Sequence, residues 1–491
     1  MSFINCLENE TNKTAFTENG ALSYNSTLNP VLDFFSKSGA IRGQTDSAYN
    51  LFMKAFKGDE TLSKRALFYS RDVRGGQGER KNFRHIINKV AKYKPEALKK
   101  NIPYISFFGR WDDLYSLIGT PLENDALEFM KIQFDEDMNK IKDTEKVAHV
   151  SLLGKWLKSE NTSSFESKKL GKLTRKYFKL SPKEYRQSLT KLRKAVEVVE
   201  CKMCSGDWDK INYEHVSSNA MKIYSKAFKK HDECSFGKYL EKVKSGEAKI
   251  HSDTLYPYDI VDKYLNGSVA DYETLEELWK HLPNYFEDST NSNCMCVVDT
   301  SGSMYSGCSK IQPINVAISL GLYMAERNKG AFENTFITFS SNPELMKIQG
   351  STLKDKIESI KGAHWGNNTD LMKVFELLVN TIKKYNVPEN ERPSKLFIIS
   401  DMQFDCCCNG SKTTFEAIDK MYQDANIKRP DLIFWNVNAY SDTPVVKDEN
   451  GTFLVSGASP SILKYALNTK TTNPYDMMLE VLNSTRYQVI E

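Results

Sequence analysis

The chain has 491 residues, too many for one ordinary core, and its net charge of +4 is the small remainder of 130 charged side chains. The global balance therefore says little about nucleic acid, and local charge matters more. No stretch approaches the roughly 18 apolar residues of a membrane span, and the 10 cysteines lack the even spacing of a secreted scaffold, so a reduced, cytoplasmic setting is expected.

Residues 1–27 are rich in Asn, Ser, Thr and Gly and read as a flexible N-terminal arm. The opening Met1-Ser2-Phe3-Ile4-Asn5 lacks the basic-then-apolar order of a signal peptide. Residues 28–285 carry mostly helical spacing, as in Leu51–Phe56, Leu62–Tyr69 and Phe83–Tyr93, punctuated by Pro95, Pro103, Gly109 and Gly119. Many short helices with brief loops predict an all-α, stacked helical-repeat domain.

Within it, Arg71-Asp72-Val73-Arg74-Gly75-Gly76-Gln77-Gly78-Glu79-Arg80 packs three glycines into four residues, the signature of a tight turn or close backbone approach. Two readings stay open. Arg71, Asp72 and Glu79 lock helix ends through buried ion pairs, or Arg71, Arg74, Arg80 and Arg84 meet a phosphate chain beside exposed glycine N–H groups. The run is not a P-loop, because it lacks the Gly-Lys-Ser/Thr end and a preceding strand. Asp112 and Asp113 are adjacent carboxylates that point apart on a helix, so cap and bundle contacts are expected of them.

From Lys155 to Lys194 there are 13 Lys or Arg against three Glu, a local charge of +10 in 40 residues. Trp156, Tyr177, Phe178 and Tyr185 are interleaved with it. Cations that neutralise phosphates beside aromatics that stack on bases suit small structured or single-stranded RNA, with Arg186, Arg193 and Lys194 as the contact candidates. The competing reading is a solvated helix face over core aromatics. Cys201, Cys204, His231 and Cys234 have the pairwise spacing of a tetrahedral zinc site, but incidental thiols are the default and zinc is not expected.

Residues 286–491 change character. Cys294–Val298, Thr335–Phe339, Leu396–Ile399 and Leu432–Val437 are short apolar runs of strand length, with Phe453–Val455 a further candidate. Helical patterns at Ile314–Glu326, Leu371–Tyr385 and Thr414–Tyr422 lie between them. This alternation predicts a doubly wound α/β domain, closed by helices at Ile462–Ala466 and Pro474–Leu482.

Parallel sheets place ligand sites beyond the carboxyl ends of their strands. There stands Asp299-Thr300-Ser301-Gly302-Ser303, with Thr369 in a later loop and Asp401 after another strand. Five oxygen-bearing side chains with only two carboxylates suit Mg2+, with Mn2+ an alternative, and water completing the octahedron. Asp370 is read instead as a helix cap and Asp405 as a loop residue beyond Asp401. No His stands near Cys406, Cys407 and Cys408 to make one a nucleophile. The metal constellation lacks a second cation and a base, so no enzyme is expected.

Asp299, Ser301, Ser303, Thr369 and Asp401 resemble the metal-ion-dependent adhesion site of a von Willebrand factor A domain. The resemblance implies that the first-loop residues and the Thr hold the metal directly or through water. It also implies that a protein partner's carboxylate takes the open position. The glycine-arginine motif is similar to a segment of the Ro 60 kDa autoantigen and its bacterial relatives, which pair a ring of helical repeats with a von Willebrand factor A domain and bind RNA. A fuller likeness is to the family catalogued as domain of unknown function 2828. It is carried by Phe68–Arg80, Gly109-Arg110-Trp111-Asp112-Asp113-Leu114, Leu255-Tyr256-Pro257, Ser400–Phe404 and Phe434-Trp435-Asn436, in order over about residues 25–485. Two functions are expected of such a chain: a Ro-like RNA-binding scaffold with a Mg2+-dependent site for protein partners, or a metal-dependent protein-interaction module without nucleic acid.

Overall fold

The computed structural model describes residues 14–17, 22–24, 26–142, 149–266, 271–287, 293–305, 312–339, 342–361, 370–404, 414–438, 450–468 and 473–491. The arm is not wholly irregular. Strands β1 (Thr14–Phe16) and β2 (Leu22–Tyr24) pair antiparallel, and the Thr17 hydroxyl donates to the Phe404 carbonyl at 2.8 Å.

Helices then follow one another: α1 (Pro30–Lys37), α2 (Thr45–Gly58), α3 (Glu60–Arg71) and α4 (Lys81–Tyr93). Two of these starts have a side-chain cap. Asn29 caps α1 by accepting from Val31 N and Leu32 N, and Asp59 caps α3 by accepting from Leu62 N. Beyond them come α5 (Glu123–Lys142), α6 (Phe165–Tyr177) and α7 (Pro182–Ala195), the last opened by a capping box of Ser181 and Glu184. The helical region ends with α8 (Ser218–His231), α9 (Glu233–Ser245), α10 (Pro257–Leu265) and α11 (Tyr272–Lys280).

The C-terminal region is a six-stranded sheet: β3 (Cys294–Asp299), β4 (Thr335–Phe339), β5 (Leu345–Lys347), β6 (Lys395–Ser400), β7 (Asp431–Asn436) and β8 (Thr452–Ser456). Their order is β5-β4-β3-β6-β7-β8, parallel throughout except for the short edge strand β5. Helix α12 (Pro313–Arg327) covers one face, while α13 (Leu371–Tyr385) and α14 (Thr414–Asp424) cover the other.

The two-residue period of the strands decides which core each side chain joins. Met295 and Val297 face α13 and α14. Cys294, Cys296 and Val298 face the other way, into a core that runs without interruption through α12 into the helical region. The helical region also meets the sheet at its other end. Helix α1 packs on β8 and on α15 (Pro474–Leu482), and Gly39 N donates to Ser456 Oγ at 3.0 Å. A side chain at Gly39 would stand 2.8 Å from the Gly457 backbone, so the two chains pass there at glycine distance.

Candidate functional site

Strands β3 and β6 are the central parallel neighbours, and the chain leaves them toward opposite edges of the sheet, which makes their carboxyl ends its switch point. Asp299 ends β3 and Ser400 ends β6. The Ser400 hydroxyl donates to Asp299 Oδ2 at 2.5 Å, and Ser301 N donates to Oδ1 at 2.9 Å. Ser301 Oγ lies 3.1 Å from Ser303 Oγ. Met402 N donates back to Ser400 Oγ at 2.9 Å, with Met402 in the left-handed region at φ 65°, and Gln403 N donates to Asp401 Oδ1 at 3.2 Å.

Asp299 is 0% exposed and Asp401 1%. Burial, then the negative charge of Asp401, pushes the Asp299 carboxyl up to about 7, against the hydrogen bonds from Ser400 and Ser301. Two buried carboxylates that oppose each other's ionisation, beside two hydroxyls, are a donor set that suits a hard divalent cation. Sequence reasoning brought Asp299, Ser301, Ser303 and Asp401 to this place and missed Ser400, whose signal was a hydroxyl directly before Asp401 at a strand end. Thr369 lies outside the described residues, as do Asp405, Cys406, Cys407 and Cys408. Asp370 caps α13, accepting from Lys373 N at 3.3 Å.

The glycine-arginine turn lies between α3 and α4. A side chain at Gly76 would stand 1.9 Å from the Tyr69 carbonyl oxygen, and one at Gly78, where φ is 62°, 2.1 Å from Tyr256 Oη. The close approach lets Gln77 Nε2 donate to Tyr69 Oη at 2.8 Å and the Ser461 hydroxyl donate to the Gly76 carbonyl at 3.2 Å. Arg71 is 1% exposed, with its Nη2 2.7 Å from Asp113 Oδ2. Asp72 accepts from Arg486 and from Tyr487 Oη. Glu79 accepts from Lys81 N at 2.9 Å and pairs with Arg42 at 3.5 Å. The expectation that Arg71 meets a phosphate is therefore corrected: its guanidinium is buried on a carboxylate and cannot reach a ligand.

Residues 17–149 and 157–292 match the family described as Domain of unknown function (DUF2828). The chain belongs to the DUF2828 family. In this DUF2828 chain, residues 293–487 also match the description Domain of unknown function (DUF7788). A similar protein, "Uncharacterized protein L728" of Acanthamoeba polyphaga mimivirus, is 30% identical over 505 residues that cover 95% of this chain and 87% of the relative. Among solved structures, the Ro (RSR) protein of Deinococcus radiodurans is a neighbour at TM-score 0.39 and 12% identity, covering 89% of this chain and 99% of that one.

The other arginines of the DUF2828 turn sit differently. Arg74 is exposed and 3.9 Å from Asp253. Arg84 is half-buried, with Nε 2.6 Å from Asp113 Oδ1 and Nη2 2.9 Å from Asp112 Oδ2. Arg80 is exposed; burial of part of it, then the guanidiniums of Arg110 and Arg84, work against its charge.

In the basic stretch, Lys168, Lys169, Lys172, Lys176, Lys179, Lys183, Arg186, Lys191 and Lys194 are exposed. Arg193 is committed to structure, donating to the carbonyls of Gly154 at 3.2 Å and Leu157 at 3.0 Å. Three of the four expected base-stacking aromatics are corrected too, Tyr177 staying partly exposed. Phe178 and Tyr185 are buried in the core, and Arg110 stands over the Trp156 ring at 3.9 Å from its centre. Cys201, Cys204 and Cys234 are exposed, and His231 stacks on Trp208 at 4.4 Å. Among the described residues, no three His, Cys, Asp or Glu side chains gather as a metal cluster, and no helix is long and apolar enough to cross a membrane.

Proposed function

We propose that the chain is a binding scaffold whose α/β region holds Mg2+ or Mn2+ at Asp299, Ser301, Ser303 and Asp401, with Thr369 as fifth donor. An acidic side chain of a protein partner docks on the cation, in the manner of a von Willebrand factor A adhesion site. The observation that carries the reading is the buried Asp299 beside Asp401 and the two serine hydroxyls at the switch point of a doubly wound sheet. A divalent cation there turns the opposition of two carboxylates into attraction. We read the role as binding, because the donor set is that of a single cation with an open position for a partner's carboxylate.

The test is calorimetry of Mg2+ and Mn2+ binding to the full chain, followed by partner capture with and without chelator. Saturable binding lost in Asp299→Ala, with capture that needs the cation, is the expected result. Equal capture by Asp299→Ala or in chelator would remove this reading.

A second reading, RNA-backbone binding by the helical region, is favoured by α6 and α7. Their exposed cations, Arg186 and Lys194 among them, form no ion pair with a carboxylate among the described residues. With Phe178 and Tyr185 buried, Trp156 under Arg110 and Tyr177 bonded to Glu128, recognition would rest on phosphates and shape rather than stacked bases. Binding of mixed small RNAs should weaken steeply with added salt; no binding at low salt excludes it.

A further inference from the structure

We propose that Arg80, Arg84, Arg110 and Lys158 form an oxyanion site that takes a phosphate group. Three cations converge on one carboxylate oxygen: Asp112 Oδ2 lies 2.9 Å from Arg84 Nη2, 2.9 Å from Arg110 Nη2 and 3.5 Å from Lys158 Nζ. One negative charge cannot offset three. The adjacent Asp113 does not make up the difference: it pairs with Arg84 Nε but also with Arg71, so four cations stand against two carboxylates.

Arg80 adds a further positive charge. It stands one turn before Arg84 at the head of α4, where like charges destabilise a helix, and it forms no ion pair among the described residues. The cluster is also pre-set. Arg110 is held by two hydrogen bonds to Asp112, each 2.9 Å, and by the Trp156 ring beneath its guanidinium. Three separate segments meet here, around residues 80–84, 110–112 and 156–158, and all four cations keep surface exposed to solvent. A phosphate brings the charge the cluster lacks; the Arg80 guanidinium, unpaired among the described residues, can meet its oxygens, and Arg84 and Arg110 retain N–H groups beyond those that Asp112 and Asp113 occupy.

The proposal rests on neither the metal centre nor the exposed cations of α6 and α7. It is tested on the full chain by calorimetry at low ionic strength, with inorganic pyrophosphate and, separately, a short unstructured oligonucleotide that carries only diester phosphates. Saturable binding of either probe is expected, weakened about tenfold in Arg80→Ala and unchanged in Lys420→Ala, an exposed lysine of the α/β region. Response to pyrophosphate alone assigns the site to a free or terminal phosphate; response to the oligonucleotide alone assigns it to a nucleic-acid backbone. Arg80 is exposed and unpaired among the described residues, so an unchanged melting temperature in Arg80→Ala shows that the fold is kept. Absence of saturable binding with both probes, or wild-type affinity in Arg80→Ala, overturns the proposal and leaves the metal-dependent docking standing.

Discussion

Asp72 and Arg486 lie 414 positions apart and meet across the junction of the helical and α/β regions, Arg486 Nη2 donating to Asp72 Oδ1 at 2.7 Å. Tyr487 Oη adds a hydrogen bond of 2.9 Å to the other oxygen, and the Tyr487 ring stacks on Phe108 at 5.5 Å. Asp72 is fully buried whereas Arg486 keeps about a third of its side chain in solvent, so the two partners are not equivalent. Arg486→Ala strands a buried carboxylate and should cost about 3 kcal/mol. Asp72→Asn leaves a solvated guanidinium and should cost less, about 1–2 kcal/mol. Urea unfolding midpoints of the two variants give the comparison, and equal losses would contradict this account of the junction.

The glycines of the turn are not interchangeable with glycines elsewhere. Gly76→Ala puts a methyl 1.9 Å from the Tyr69 carbonyl oxygen, and only backbone movement relieves it. Soluble yield of that variant should collapse. Gly119→Ala, unlike Gly76→Ala, faces a positive φ, 78°, and meets nothing within 4 Å, so it should cost only about 1 kcal/mol of backbone strain. Comparing the melting curves of both variants separates close approach from backbone conformation as the reason for glycine.

If the proposed cation binds at Asp299, Ser400 is expected to position that site without touching the cation. Its hydroxyl fixes Asp299 on one side and accepts from Met402 N on the other, which orients the loop that carries Asp401. Removing such a supporting hydrogen bond typically lowers metal affinity about 10–100-fold. Ser400→Ala should therefore weaken Mn2+ binding by that order while Ser400→Thr, which keeps the hydroxyl, restores most of it. Wild-type affinity in Ser400→Ala would show the contact to be incidental.

Acid should loosen the helical region at a particular pair. Burial opposes ionisation of Asp112, yet Arg84 and then Arg110 hold its carboxyl below the usual carboxylate range. A carboxyl depressed in the folded state contributes stability that is fully present above its unfolded value, about 4, and is lost as pH falls through the folded value. The melting-temperature gap between wild type and Arg110→Ala should hence be widest near neutrality and narrow below about pH 4. A gap independent of pH would mean that Arg110 acts through its packing on Trp156 alone.

Much of the α/β region was legible because its strands are short apolar runs with helical spacing between them. Leu371–Tyr385 and Pro474–Leu482 begin and end where their residues predict. Strand β5 was not, because Leu345–Lys347 is a three-residue edge strand with two exposed positions and no apolar run to announce it. The hairpin of β1 and β2 sits in Asn- and Ser-rich sequence that reads as loop, and its pairing is a tertiary outcome. The roles of the arginines were the least legible. Arg71 and Arg80 share one motif, but Arg71 is claimed by Asp113, 42 positions away, while Arg80 is left at the surface. Local sequence carries no trace of that difference. Phe178 and Tyr185 misled for a related reason: among many lysines they look like stacking platforms, and only the packing of α5 to α7 shows them as core.

Helix α1 is enclosed by β8 and α15, elements made more than four hundred residues later. During synthesis Phe34 and Phe35 find Phe52 of α2 and Tyr69 of α3 early, whereas the part of α1 that packs on the sheet leaves the ribosome long before that surface exists. Helix α1 can pack on α2 and α3 at once, but its face toward the sheet must wait. That helix acquires its full set of contacts only when translation has passed α15, which ties completion of one half to arrival of the other.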